Sequence, residues 1–159
     1  MSETELTPTG STPTDLTPRQ VLEKLFRTIV HGTRDEVADL YAPDVVIEMP
    51  FAPAGVPQVS HGREELRARM KERAGLWSFT GVDGVRLHET GDPEVLVTEY
   101  QVHGTVTATG REFTFTYIMV VRVRDGLIAS SRDYFNVLES AAALDAGPEM
   151  IAGLIRGGS

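Results

Sequence analysis

Cysteine is absent from the 159 residues, which removes disulfides, thiolate nucleophiles and Cys-ligated zinc or iron–sulfur centres together. Basic charge is scarce: 15 Lys and Arg stand against 23 Asp and Glu, a net charge of −8. No basic stripe concentrates those cations, so neither nucleic acid nor an anionic membrane is an expected partner. Long apolar runs are missing too. The chain never reaches the roughly 18 consecutive apolar residues of a membrane span, and its N-terminus has no basic start ahead of an apolar stretch; a soluble, cytoplasmic protein is the expectation. The four histidines lack the spacing of a metal-binding pair, so no metal and no cofactor is expected. What remains is 41% hydrophobic and 24% charged, an ordinary globular composition at a length that suits one domain.

Residues Met1 to Thr17 are mostly Thr, Pro, Ser, Gly and acidic residues. Such a segment has too few apolar groups to offset the entropy of ordering, so 1–17 reads as a disordered tail and 18–159 as the domain. Helical spacing begins at once after it. Val21, Leu22, Leu25, Phe26, Ile29 and Val30 recur one turn apart, Thr17 suits an N-cap, and Pro18 suits the first helical position. Gln20 sits where a capping box places its reciprocal acceptor, and Gly32 is the stop. A second capping box, Thr33 with Glu36, opens a short helix carrying Val37, Leu40 and Tyr41 that Pro43 ends. Asp44 to Met49 alternates, with Val45, Ile47 and Met49 on one face, and reads as a strand. Pro50, Pro53, Gly55 and Pro57 then make a long irregular loop. Arg63 to Ala74 returns to helix, with Leu66 and Met70 inward, an Arg, Glu and Lys outer face, and Gly75 as a stop.

From Val82 onward the pattern is β. Val85 and Leu87 lie in one short strand, Asp92-Pro93 turns into Val95 to Thr107, and a turn at 108–111 leads into Glu112 to Arg124. Asp125-Gly126 has the composition of a type I′ hairpin turn and opens a last strand, Leu127 to Val137. Leu138, Ala141, Ala142 and Leu144 resume helical spacing, which Gly147-Pro148 interrupts before Met150, Ile151, Leu154 and Ile155. Helices in front and strands behind predict an α+β fold, a cone-shaped barrel in which a curved antiparallel sheet wraps around the N-terminal helices. Three short helices cannot fill such a cone, and concave apolar spaces of that kind are the usual small-molecule sites.

The runs Tyr41-Ala42-Pro43 with Asp44 to Phe51, His61-Gly62-Arg63-Glu64, Arg124 to Ile128, and Arg132-Asp133-Tyr134-Phe135-Asn136 together resemble the SnoaL-like branch of the nuclear-transport-factor-2-like superfamily. That superfamily includes ketosteroid isomerases, limonene epoxide hydrolases and polyketide cyclases, and the likeness covers about residues 17–140. It implies a homodimer formed through the outer sheet face and a small hydrophobic molecule as ligand. The general-base, oxyanion-side acid and phenol positions of ketosteroid isomerases fall on Met49, Met119 and near Leu25; a thioether neither takes a proton nor donates a hydrogen bond, which contradicts that mechanism. The epoxide-hydrolase Arg and Asp pair falls on Tyr100 and Val102, whereas its last-strand Asp is kept as Asp133. The His and Asp of polyketide cyclases correspond to Tyr134 and Asn136. Phenazine-biosynthesis proteins share the Pro-Phe-Ala-Pro loop and the Tyr-Phe-Asn ending.

The period of two decides which strand residues face the cavity. With Met119 inward, Phe113, Phe115, Tyr117 and Val121 follow, as do Leu96, Thr98, Tyr100 and Val102 on one neighbouring strand and Ala129, Ser131, Asp133 and Phe135 on the other. Asp133 becomes the principal carboxylate of an apolar, aromatic space, with the Tyr100 and Tyr117 hydroxyls as neighbours and His61 at the mouth. These four are the candidate catalytic residues. Phe26, Met49, Phe51, Met70, Trp77, Val102, Phe115, Met119 and Phe135 are the candidate substrate contacts. Desolvation should raise the Asp133 pKa and suit it to proton transfer on an oxygenated substrate; a structural carboxylate held by a neighbouring donor is the alternative. Three functions stay open: a cofactor-independent cyclase, isomerase or hydrolase acting on a polyketide-like or epoxide intermediate, a binding module without chemistry, and a dimerisation domain.

Overall fold

A computed structural model describes residues 15–53 and 55–143. Most of the expected tail and the expected apolar positions from Leu144 onward lie outside these residues. The fold is α+β. Helix α1 spans Pro18–His31 and α2 Arg34–Ala38, each opened by a complete capping box, Thr17 with Gln20 and Thr33 with Glu36. Strand β1 runs Tyr41–Glu48, β2 Val59–His61, and helix α3 Arg63–Glu72. Strands β3 Trp77–Glu89, β4 Val95–Val106, β5 Glu112–Arg124 and β6 Leu127–Phe135 follow, then α4 Val137–Ala143.

The six strands form one open sheet in the order β2-β1-β6-β5-β4-β3. Four of the five pairings are antiparallel, but β1 runs parallel to β6, so the sheet is mixed rather than antiparallel throughout. The expected second helix is shorter than its sequence pattern, because Tyr41 already belongs to β1. Pro43, which lacks a backbone donor, falls where the β1–β6 register breaks between Tyr41 and Val46. The Pro-rich loop hides β2, three residues that pair with Val46 to Glu48. The β5–β6 turn is as expected: Asp125 and Gly126 both have positive φ, 53° and 74°, the type I′ geometry.

One stripe of α1, namely Val21, Leu22, Leu25 and Phe26, is buried against the concave sheet face and meets Leu96, Tyr100, Val102, Met119 and Val121 there. At the opposite end Phe113, Phe115, Val106 and Ala143 form a second cluster with Trp77 and Phe79. Helix α3 buries none of its residues; Leu66 and Met70 reach the core only partly. The space between the two clusters is therefore left under-filled beside α3.

Alternation fails at one place that matters. Val123 pairs with Ile128 but Arg122 with Ser130, so Ala129 is an extra residue, a β-bulge. Ile128, not Ala129, is consequently the inward residue at the start of β6, and it is fully buried. After the bulge the expected parity is restored at Ser131, Asp133 and Phe135.

Gly104 lies between Phe79 and Phe113 in the register. A Cβ added there would collide with the Ser78 carbonyl oxygen and the Phe113 ring, and backbone cannot step aside as a flexible side chain would. Gly104→Ala is expected to lower the unfolding free energy by about 2–3 kcal/mol, read as a reduced urea midpoint with an unchanged slope.

Candidate functional site

Strand register builds the site. Thr98, Met119 and Asp133 lie side by side across β4, β5 and β6, and Tyr100, Tyr117 and Phe135 form the next row. On the other side of Asp133, Leu96, Val121 and Ser131 continue through Ile47 to Ser60 on β1 and β2. The inward face thus changes from aliphatic and aromatic under α1 to serine and aspartate under α3.

A cavity of about 420 Å³ opens beside that boundary, lined by Met49, Pro53, Val56, Arg73, Leu76, Trp77, Phe115, Tyr117, Asp133, Phe135, Val137, Ser140 and Ala141. Its volume is within the range of small-molecule sites, and its wall is mostly apolar. Asp133 is half-buried at the residue level, while its Oδ1 is out of contact with solvent and has no hydrogen-bond partner among the described residues. Burial pushes the Asp133 carboxyl up from the ordinary 3.8 to about 6, against the partial opposition of the Ser131 hydroxyl and the Arg69 charge. The Tyr117 phenol is held well above its usual value by burial, and the Asp133 charge adds to the shift. It is a protonated hydrogen-bond donor across the physiological range.

Six of the sequence-predicted residues meet in this cavity: Met49, Trp77, Phe115, Tyr117, Asp133 and Phe135. The others do not line it. Tyr100 is buried between Phe26 and Tyr117, with ring centroids 4.8 and 5.1 Å away, so α1 seals it into the core. Its phenol is also raised, by burial first and then by the Asp133 charge. Phe26, Val102 and Met119 are core residues for the same reason. Met70 borders a separate hollow between α1, α2 and β3. Phe51 is 61% exposed and rests edge-on against Tyr134, whose parity is opposite to that of Asp133; the chain has left the inner face once Pro50 ends the strand. His61 is exposed on β2, since its inward neighbour is the buried Ser60.

The cavity also contains groups that the sequence reading left out. Val137, Ser140 and Ala141 of α4 form one wall. Arg73, the C-cap of α3, forms part of the mouth, and one turn before it Arg69 donates from Nη1 to Ser60 Oγ at 2.9 Å and approaches Met49 Sδ at 3.9 Å. The sequence pattern gives this helix an outer face of Arg, Glu and Lys without separating these two arginines from the rest. Leu66, Arg69, Met70 and Arg73 follow the i, i+3, i+4, i+7 rule, so the signal was a stripe whose apolar members stop halfway while its spacing continues.

The comparisons agree with this geometry. Residues 22–131 match the family model described as SnoaL-like domain. An uncharacterized PhzA/B-like protein of Pseudomonas aeruginosa is 32% identical over 139 residues, 87% of this chain and 97% of that protein. Among solved structures, a candidate isomerase from Bacillus subtilis superposes with a TM-score of 0.77 at 25% identity, covering 82% of this chain and 94% of the other. A candidate polyketide cyclase from Pseudomonas putida superposes with a TM-score of 0.67 at 15% identity, covering 80% and 98%, a likeness of fold. The match over residues 22–131, together with a relative 32% identical over most of both chains, makes this chain a member of the SnoaL-like family.

Proposed function

We propose that the protein is a cofactor-independent cyclase, isomerase or hydrolase that carries out acid–base chemistry on a small hydrophobic, oxygenated metabolite of polyketide-like or epoxide type. The observation that carries this reading is the Asp133 carboxyl, whose Oδ1 is buried without a partner in the wall of an otherwise apolar cavity. The Ser131 hydroxyl acts on this carboxyl, yet Oδ1 keeps no hydrogen-bond partner among the described residues. With a pKa of about 6 it populates both protonation states near neutrality, the condition for taking a proton at one substrate atom and returning it at another. Tyr117 supplies a phenol O–H in the same wall to steady oxygen as charge develops on it. The fold shared with a candidate polyketide cyclase and a candidate isomerase supports the reaction class, although a fold alone hosts many chemistries.

A second reading has its own support. Asp133 is the single carboxyl group of the cavity wall among the described residues, which suits a binding module that has kept the space and given up the chemistry. The two readings separate on turnover. With a panel of terpenoid epoxides and β-dicarbonyl compounds and no added cofactor, the enzyme reading expects conversion of at least one compound, with a pH–rate limb near 6. Asp133→Asn should then lower kcat by about 10²–10⁴-fold; full turnover by that variant excludes the proton-transfer role.

The same carboxyl gives a stability test. Its folded pKa lies above the unfolded value, so ionising it in the folded state costs free energy above pH 6, and that cost is absent below about 3.8, where both states hold the proton. Asp133→Asn should be more stable than the parent at pH 7.5 by up to about 3 kcal/mol. Denaturant titrations should show the gap closing as the pH falls from 6 to 4.

A homodimer through the outer sheet face completes the reading. That face leaves Ile118 44% exposed between half-buried Thr114, Thr116 and Val120, apolar area of the kind a second copy covers. No helix among the described residues is long and apolar enough to cross a membrane, and the lack of cysteine supports a cytoplasmic setting. Sedimentation at micromolar concentration should give twice 17.4 kDa; Ile118→Glu should shift the species to one chain.

A further inference from the structure

Trp77 is the one residue, among the described residues, that lines two spaces at once. One is the cavity of about 420 Å³ that holds Asp133; the other is the hollow of about 240 Å³ between α1, α2 and β3, bordered by Ile29, Arg34, Val37, Met70 and Phe79. Its indole packs against a ring from each. Phe115, which lines the cavity, lies 5.5 Å away between ring centroids, and Phe79, which lines the hollow, 6.4 Å. The backbone beneath the indole is held from two sides. Arg34 Nη2 donates to the Ala74 and Trp77 carbonyl oxygens at 3.3 and 3.4 Å, and the Thr107 N–H donates to the Leu76 carbonyl at 3.0 Å. Phe113 and Phe115 then meet the indole edge-on, so the partition is held at its base and along its side.

The sheet floor of the cavity runs from polar to apolar. Asp133 and Tyr117 are diagonal neighbours across β6 and β5. Phe115 follows two residues along β5, and the indole of Trp77 lies beyond it. The remaining polar members of the wall, Arg73 and Ser140, come from the end of α3 and from α4 rather than from this floor. A ligand that presents an oxygen to Asp133 and Tyr117 therefore lays its apolar body along Phe115 toward the indole. We propose that Trp77 sets the length of ligand that the cavity accepts: its ring closes the apolar end, and the hollow behind it is the space that a smaller residue would add. This rests on the cavity of the proposed function and adds to it a specificity-determining residue. The substrate class that follows is a molecule with an oxygenated head and an apolar body short enough to end at the indole.

The test is a series of 4-n-alkylphenols with two to eight side-chain carbons, titrated calorimetrically at pH 7. Each methylene that the cavity buries improves Kd by up to about fourfold. In the parent this gain is expected to break off within the series, at the carbon where the tail meets the indole. In Trp77→Ala it should continue, so that octylphenol binds at least about tenfold more tightly than to the parent while ethylphenol stays within about threefold. Trp77→Leu, which keeps apolar volume in the wall and guards against an unfolded alanine variant, should move the break part of the way. Trp77 is also the only tryptophan of the chain, so its emission is expected to change as the parent is saturated. The same break in parent and alanine variant, an equal loss of affinity at every length, no break in the parent, unchanged emission at saturation, or no binding of any phenol would each overturn the inference. Asp133→Asn enters as a separate arm and should leave the break at the same carbon. A break that ignores Trp77 thus defeats the length limit alone, whereas full turnover by Asp133→Asn defeats the proton-transfer reading.

Discussion

A curved sheet must have its hollow side covered, and here the cover is unequal. Helix α1 brings a four-residue buried stripe to β3, β4 and β5, whereas α3, ten residues long, buries none. Each large apolar side chain that α3 does not bury forgoes roughly 1.5–3 kcal/mol of transfer free energy. The same shortfall keeps a space open, removes water from one side of Asp133, and leaves room for guanidinium groups where leucines would close the core. Proteins commonly hold function at such under-packed places at some cost in stability.

Much of the fold was legible because its signals are local. Two capping boxes, a proline at the first helical position, and Asp125-Gly126 fix backbone torsions within a few residues, and all appear as read. Strict alternation in β4 and β5 gave the inner face correctly. The parts that were not legible depend on distant partners. Strand β2 has three residues, too few for a period, and exists because β1 offers it an edge. The parallel β1–β6 pairing has no sequence signature at all.

The site was half legible for a similar reason. Alternation placed Asp133, Tyr117, Phe115 and Phe135 on the inner face, but it cannot say how far a helix extends over that face. Tyr100 and Val102 share the correct parity and are nevertheless sealed beneath α1. The Arg, Glu and Lys residues of α3 are expected on its outer face because charged residues on a helix normally face water, yet Arg73 lines the cavity. Phe51 was drawn into the cavity by its place in a familiar run, and the break at Pro50 turned it outward. Positions 49 and 119 hold thioethers, and among the described residues Asp133 is the one carboxyl group in the cavity wall.

The extra residue at Ala129 acts as a phase shifter between two rulers. Before it, the hairpin counts inward positions from Val123 and Ile128; after it, the count is displaced by one and Asp133 falls inside. The acid's orientation is therefore set three residues from the turn and four from the acid, by the ladder register at the bulge. Were Ala129 to take up the ladder opposite Arg122, each later residue would move one place along and Arg132, not Asp133, would lie opposite Met119. The bulge is thus what lets Ile128 and Asp133, an odd number of residues apart, share the inner face of one strand.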